Sequence, residues 1–184
     1  MPDLFEIMRT TRSGNMQSWR FLVVQDPEVK RTVAALYKRA SDGQVALQNR
    51  AGLPPPGMSR DQIDRMWAAG QYLADHFREA PAWIVPCGPT ATNARTAGSS
   101  IYPAVQNMLL AARALGLGAT LTTVHTVFAN EADAVFGLPE GVQSYAILPV
   151  GYPMGNFGPV RRTALSEVVF GSRWGEGWAG IGKR

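Results

Sequence analysis

Two amide side chains stand in a turn that leads directly into a β-rich run. The turn reads Ser13-Gly14-Asn15-Met16-Gln17-Ser18-Trp19, and the run starts at Arg20. An amide carries both a donor and an acceptor, which suits recognition of the polar edge of a heterocycle. The same amides can instead satisfy backbone groups of their own turn, and the residue types alone favour that second interpretation.

A basic pair closes a loop rich in Gly and Pro in the last part of the chain. The loop reads Gly158-Pro159-Val160-Arg161-Arg162. Two guanidinium groups in such a loop could hold a phosphate through forked hydrogen bonds. A solvated basic turn is the alternative, and the local chemistry by itself favours it.

Other kinds of chemistry have little support in the sequence. It has no phosphate-binding P-loop, no GxGxxG after a strand and no GxSxG nucleophile turn. Its two histidines, His76 and His125, are not spaced with Cys or acidic residues as metal ligands are. His125 follows a strand, where ligand sites often lie, whereas Cys87 ends an apolar run and is expected to be a packed core thiol. Neither a hydrolytic dyad nor a metal site is predicted.

These residues are carried by alternating strands and helices. Asp26-Pro27-Glu28 is typical of a helix start, and Ser59 with Gln62 predicts a capping box. The run from Ser100 to Leu115 is apolar on more than one side, which indicates a central helix. The predicted elements are strand 20–25, helix 27–41, loop 42–58, helix 59–77, strand 82–87, a helix from 99 or 100 to 115, strand 118–124, a short helix capped by Asn130 and ending near Gly137, and strand 143–151. The alternation predicts an α/β or α+β domain.

The composition is that of one globular domain. A chain of 184 residues with 46% hydrophobic and 17% charged residues can build a single core, so we treat 1–184 as one domain. Its tail, 171–184, is aromatic and could be a clamp on a partner subunit or a cloning remnant. The net charge of +4 is dispersed, which argues against a nucleic-acid partner. One cysteine, no signal-peptide pattern and no apolar run of membrane-spanning length lead us to expect a cytoplasmic protein.

Taken together, the motifs resemble the nitroreductase family. Its members carry a segment like S-G-G-N-x-Q-P-W-x-F-x-V-V, and Ser13 to Val24 reads Ser-Gly-Asn-Met-Gln-Ser-Trp-Arg-Phe-Leu-Val-Val. They also carry a central helix like A-x-Q-N-L-L-L-A-A-x-x-L-G-L-G, which residues 104–118 match nearly residue for residue. The turn Gly137-Leu138-Pro139, a strand that ends Gly151-Tyr152-Pro153 and a basic residue near Arg162 follow in the family's order. The resemblance covers about residues 14–170.

The resemblance implies an α+β, three-layer sandwich with a mostly antiparallel central sheet flanked by helices, which binds FMN at the interface of a homodimer. The amide turn would lie against the isoalloxazine ring or its ribityl chain, and the strand end at 121–123 would pass the other side of the ring. The basic residues would hold the phosphate, and the helix around Gln106 and Asn107 would form much of the dimer interface. No catalytic side chain is implied, because the flavin carries the chemistry. The residues carried over as cofactor-binding are Arg12, Ser13, Asn15, Gln17, Leu121, Thr122, Thr123, Arg161 and Arg162.

One departure from the family's pattern lies near the N-terminus. Members have a basic R-S-x-R pattern, then a helix, then the S-G-G-N turn, whereas Thr10-Thr11-Arg12-Ser13 here runs straight into Gly14-Asn15. The resemblance therefore implies that a family segment, with one helix and a second basic residue, is missing between Ser13 and Gly14. Such a loss would lower solubility and FMN affinity.

The implied function is that of an oxidoreductase that passes a hydride from NADH or NADPH to FMN and then, in ping-pong order, reduces a nitroaromatic, a quinone or a similar small molecule. One alternative is an FMN-binding or degenerate member without turnover, which the N-terminal departure keeps open. Another is a specialised reductase such as a dehalogenase, with the loop 42–58 as its substrate lid.

Overall fold

The structure, a computed structural model, describes residues 17–51, 59–90, 92–93, 96–155, 158 and 162–180, without the side chains of 45–51. Residues 1–153 and 154–184 belong to two compact units. The described elements of the first unit are β1 (Arg20–Val24), α1 (Pro27–Ala51), α2 (Arg60–His76), β2 (Ala82–Pro89), α3 (Tyr102–Ala114), β3 (Gly118–Ala119), α4 (Ala129–Val135), β4 (Val142–Ser144) and β5 (Leu148–Gly151), with 3₁₀ turns at Phe77–Glu79 and Val124–Phe128.

A five-stranded antiparallel sheet organises the first unit. The strands lie in the order β1-β2-β5-β3, and β4 pairs with the last residues of β2. Successive side chains of a strand point to opposite faces, and β2 shows this directly. Trp83 and Val85 belong to one buried cluster, whereas Ile84 belongs to another.

Each face of the sheet is covered by helices. On the face of Trp83 the cluster includes Val33 and Tyr37 of α1 and Phe77 at the end of α2. On the opposite face it includes Val105 and Met108 of α3. The predicted three-layer arrangement with an antiparallel sheet is therefore confirmed.

Helix α1 is longer than the sequence predicted. It starts as expected, because the Asp26 carboxylate accepts hydrogen bonds from the backbone N–H of Glu28 at 2.8 Å and of Val29 at 3.1 Å. It then continues to Ala51, so the predicted loop 42–58 is wrong over its first ten positions. Gly43 suggested a break, but a single glycine lowers helix stability by only about 1 kcal/mol. The Gln, Ala, Leu and Arg residues that follow it are good helix formers.

The last two predicted strands are interrupted. Between the pairs Ile84↔Leu148 and Cys87↔Ser144, β2 has two residues and the opposite chain has three. This extra residue is a β-bulge. It lies where Pro86, which has no N–H to donate, only accepts a bond from the Tyr145 N–H at 2.9 Å. The strand predicted over 118–124 is likewise short: β3 ends at Ala119, and a 3₁₀ turn begins at Val124.

The short fourth helix and the C-terminal unit complete the description. Asn130 does not cap α4 as predicted, because the preceding 3₁₀ turn runs straight into the helix and places Asn130 inside it. In the second unit, α5 spans Leu165–Val168 and Phe170 pairs with Gly177 in an isolated bridge. None of the described helices has the length and apolar character needed to cross a membrane.

Candidate functional site

The turn before β1 has an unusual backbone conformation. Gln17 is exposed and has φ of 47°, in the left-handed region that non-glycine residues seldom adopt. The Arg20 guanidinium donates to the carbonyl of Gln17 at 3.1 Å and to that of Trp19 at 2.8 Å. These two bonds hold the turn against β1. Such strained conformations are concentrated at ligand sites, which makes this turn a candidate for one.

The segment Leu121–Thr123 is the second candidate region. Leu121 and Thr123 are exposed, while Thr122 between them is buried. Thr122 exchanges two backbone hydrogen bonds with Ile147, at 3.1 and 2.9 Å, and its hydroxyl lies 2.8 Å from the hydroxyl of Tyr37. The side chain of Thr122 therefore points into the core, and both backbone hydrogen-bonding groups of this residue are paired with Ile147.

The carbonyl of Thr123 is also engaged. It accepts hydrogen bonds from the backbone N–H of Thr126 at 2.9 Å and from its hydroxyl at 2.7 Å. Among the described residues, the N–H groups of Leu121 and Thr123 have no hydrogen-bond acceptor. The segment thus presents backbone donors from a rigid frame.

The two candidate regions do not meet within one chain. The turn at Gln17 precedes β1, and Leu121–Thr123 follows β3, and these strands form the opposite edges of the sheet path. With strands about 4.8 Å apart, three spacings separate the two edges by about 14 Å.

The remaining predicted cofactor-binding residues are Arg162 and four residues that the structure does not describe. Arg162 is exposed and lies in the C-terminal unit. Arg12, Ser13, Asn15 and Arg161 fall outside the described residues. Their assigned roles, like the missing segment implied between Ser13 and Gly14, stay predictions.

His125 belongs to a buried chain of hydrogen bonds. Its Nε2 lies 3.0 Å from the Ser144 hydroxyl, which donates to the Asp133 carboxylate at 2.5 Å. Because that hydroxyl donates to the carboxylate, it accepts from His125 Nε2–H, and Nδ1 carries no proton. Nδ1 is buried and has no hydrogen-bond partner among the described residues. Burial lowers the pKa of His125 to about 4, so the ring is neutral and structural.

The buried thiol of Cys87 was predicted from the sequence, whereas the hydrogen bond between Tyr37 and Thr122 was not. Cys87 is a buried free thiol, as predicted, and burial raises its pKa to about 12. Tyr37 is buried in α1. Its bond to Thr122 joins residues 85 positions apart, and no local pattern in the sequence signals such a pair.

The chain is similar to a known protein family, to a named relative and to solved structures. The family that matches the chain, over residues 4–152, is the nitroreductase family. A Thermus thermophilus protein named NADH dehydrogenase is 27% identical over 165 residues, which are 88% of this chain and 79% of that protein. An oxidized iodotyrosine deiodinase bound to FMN and 3-iodo-L-tyrosine has a TM-score of 0.68 at 22% identity, with 88% of this chain and 81% of that chain covered.

A second solved structure shares the fold. It is a variant of the FMN and NADPH-dependent nitroreductase NfnB from Sphigopyxis sp. strain HMH, with a TM-score of 0.65 at 18% identity. The match covers 93% of this chain and 87% of that one. At this level of identity, the two solved structures establish the common architecture.

Proposed function

The chain belongs to the nitroreductase family, as its motifs predicted, and from that premise we propose that it is an FMN-dependent oxidoreductase that uses NADH or NADPH to reduce a small molecule such as a nitroaromatic or a quinone. The observation that carries the proposal is the rigid segment Leu121–Thr123, in which the N–H groups of Leu121 and Thr123 have no acceptor among the described residues. The relatives named above include an NADH dehydrogenase and an FMN and NADPH-dependent nitroreductase. With its one cysteine a free thiol, we place the protein in the reducing cytoplasm.

The described residues fit the chemistry of FMN. The amide of Gln17 and the N–H groups of Leu121 and Thr123 suit a flavin ring, whose polar edge has both acceptors and a donor. The guanidinium of Arg162 suits the phosphate, with Arg161 and Arg12 as further proposed phosphate contacts. Asn15 is proposed to lie with Gln17 against the ring or its ribityl chain, and Ser13 is a further proposed cofactor contact. When bound, FMN supplies the capacity to take a hydride from a nicotinamide and to give electrons to a second substrate.

The role of the protein itself is to hold the flavin and to orient its ring. Backbone donors on a rigid segment keep the ring in place and favour negative charge near them. Neither Cys87, whose pKa is raised to about 12, nor His125, whose pKa is lowered to about 4, is suited to act as a nucleophile or a base at neutral pH. Both are buried. This arrangement agrees with a site in which the cofactor carries the chemistry.

We further propose that two copies associate through α3 to complete the site. The two candidate regions lie at opposite edges of the sheet, and a second chain that supplies one of them would let both contact one ring. On α3, Leu110 is 60% exposed, and Leu115 after its last turn is 43% exposed. A monomer gains nothing from leaving such leucines in water, whereas a dimer buries them. Trp174 and Trp178 in the C-terminal unit are also exposed and are the proposed clamp on the partner.

Replacing Leu110 with Ala is expected to raise the dimer dissociation constant about tenfold, because the lost methyl groups correspond to roughly 1.4 kcal/mol of buried apolar surface. Sedimentation equilibrium over a range of protein concentrations measures this constant. Met66→Ala is the matched control, since Met66 is a comparably exposed residue of α2, 43% accessible. Equal dissociation constants for Leu110→Ala and the unmodified protein would contradict the proposal that α3 lies in the dimer interface.

Steady-state kinetics tests the proposed reaction. The rate of NADH or NADPH oxidation is measured while the nicotinamide and a quinone or nitroaromatic acceptor are varied together. Parallel double-reciprocal lines are expected, because one substrate leaves before the other enters the same site. Intersecting lines would contradict the alternating order, and no oxidation with any acceptor would favour a flavin-binding protein without turnover.

A further inference from the structure

Thr122 is fixed more firmly than a residue in an exposed segment usually is. Its backbone is paired with Ile147 of the sheet, and its hydroxyl is bonded to Tyr37 at 2.8 Å in the interior. Only 7% of Thr122 and 3% of Tyr37 are accessible to solvent. A second contact, from the N–H of Val124 to the Thr122 hydroxyl, is longer, at 3.4 Å. The bond to Tyr37 is therefore the main side-chain anchor of the segment.

Tyr37 is itself held in place by aromatic packing. Its ring stacks on Phe77, with centroids 4.0 Å apart and planes inclined by 17°. Phe77 in turn contacts Trp83 of β2 at 4.5 Å, and the indole N–H of Trp83 donates to the Phe77 carbonyl at 3.1 Å. The Tyr37 hydroxyl thus approaches Thr122 from a position that the core of the unit determines.

The inward orientation of the Thr122 side chain determines how the neighbouring residues are oriented. Because the side chain of Thr122 points inward, Leu121 and Thr123 on either side are exposed. The Thr123 carbonyl is bonded to Thr126, whereas the N–H groups of Leu121 and Thr123 have no acceptor among the described residues, so these donors can face a ligand. Without the bond to Tyr37, the backbone pairing of Thr122 with Ile147 would still hold the segment, but one restraint on the orientation of those N–H groups would be gone.

We propose that Tyr37 is a positioning residue for the flavin: through the Thr122 hydroxyl it fixes Leu121–Thr123 so that the backbone donors of this segment are oriented before the cofactor arrives. The inference rests on the proposed function, because it assigns the ring of FMN to this segment. Preorganised donors bind more tightly than mobile ones, since less conformational entropy is lost on binding. Tyr37 touches neither the cofactor nor the substrate in this role.

The test is a double-mutant cycle with Tyr37→Phe, Thr122→Val and the double variant, in the full-length protein. The dissociation constant of FMN is measured by quenching of its fluorescence, and the visible spectrum of the bound flavin is recorded. Each single substitution is expected to weaken binding about fivefold and to shift the bound spectrum, because the bond between Tyr37 and Thr122 is lost in either case. The double variant is expected to be no weaker than the singles, because both act through that bond.

Two controls keep the outcomes distinct. Tyr72→Phe removes the hydroxyl of an exposed tyrosine of α2 and is expected to bind FMN like the unmodified protein. Urea unfolding of each variant without FMN measures stability separately. Lower stability of Tyr37→Phe with unchanged FMN affinity and spectrum would overturn the positioning role, as would additive effects in the double variant. Failure of the unmodified protein to bind FMN would overturn the proposed function as well.

Discussion

An Arg162→Ala protein is expected to bind FMN about tenfold to a hundredfold more weakly than the unmodified protein, because it loses charge-assisted hydrogen bonds to the phosphate. Riboflavin lacks that phosphate, so its affinity is expected to be the same in both proteins. Fluorescence titrations with the two flavins, at one fixed ionic strength, measure the difference. The FMN affinity of Arg162→Lys is expected to lie between those of Arg162→Ala and the unmodified protein, since an ammonium keeps the charge but not the forked geometry.

Arg173 provides the control for this prediction. It is an exposed arginine of the same C-terminal unit, 3.8 Å from Glu176. Arg173→Ala is expected to leave both flavin affinities unchanged, which would exclude a general effect of removing positive charge. Equal loss of FMN and riboflavin binding in Arg162→Ala would contradict a phosphate contact, and so would unchanged FMN affinity.

His125 is expected to make the folded protein sensitive to acid. Burial lowers its pKa from 6.5 to about 4, because the proton that would make the ring an imidazolium has to sit on the buried Nδ1. Between those two pH values the unfolded chain binds more protons than the folded one, so stability falls as the pH falls. The contribution of His125 to the free energy of unfolding is fully present above pH 6.5. About 3 kcal/mol of it is lost by pH 4, and His125 causes no further loss below that pH.

Urea unfolding between pH 7 and pH 4 measures this loss. In His125→Gln, whose amide can still donate to Ser144, the part of the loss that His125 causes is expected to disappear. His76→Gln serves as the control, because His76 at the end of α2 is only half-buried, and its replacement is expected to leave the acid-dependent loss in place. The same steep loss in His125→Gln would show that another group is responsible.

Local sequence signals predicted those parts of the fold that depend on local chemistry. The Ser59 capping box is present, with the Ser59 N–H donating to the Gln62 side chain at 2.8 Å. The central helix α3 ends where Gly116 adopts φ of 76°, as its position after the last apolar residues indicated. These features depend on neighbours within a few residues, so a single sequence reveals them.

Features that depend on distant partners were not predictable in the same way. Pro86 stands in the central strand, and the bulge opposite it becomes visible only when β2 is paired with β4 and β5. The orientation of Thr122 depends on Tyr37, on another element of the chain. The family resemblance assigned the segment 121–123 to the cofactor, but it did not say which of its groups face outward.

The visible absorption spectrum tests the central claim most directly. The purified protein is mixed with excess FMN, freed of unbound flavin, and then treated with NADPH or NADH without oxygen. Flavin bands that are retained and then bleach are the predicted result, because they establish both cofactor binding and hydride acceptance. Loss of the flavin during removal of the excess, or bands that neither nicotinamide bleaches, would contradict the assignment of this chain as an FMN-dependent oxidoreductase.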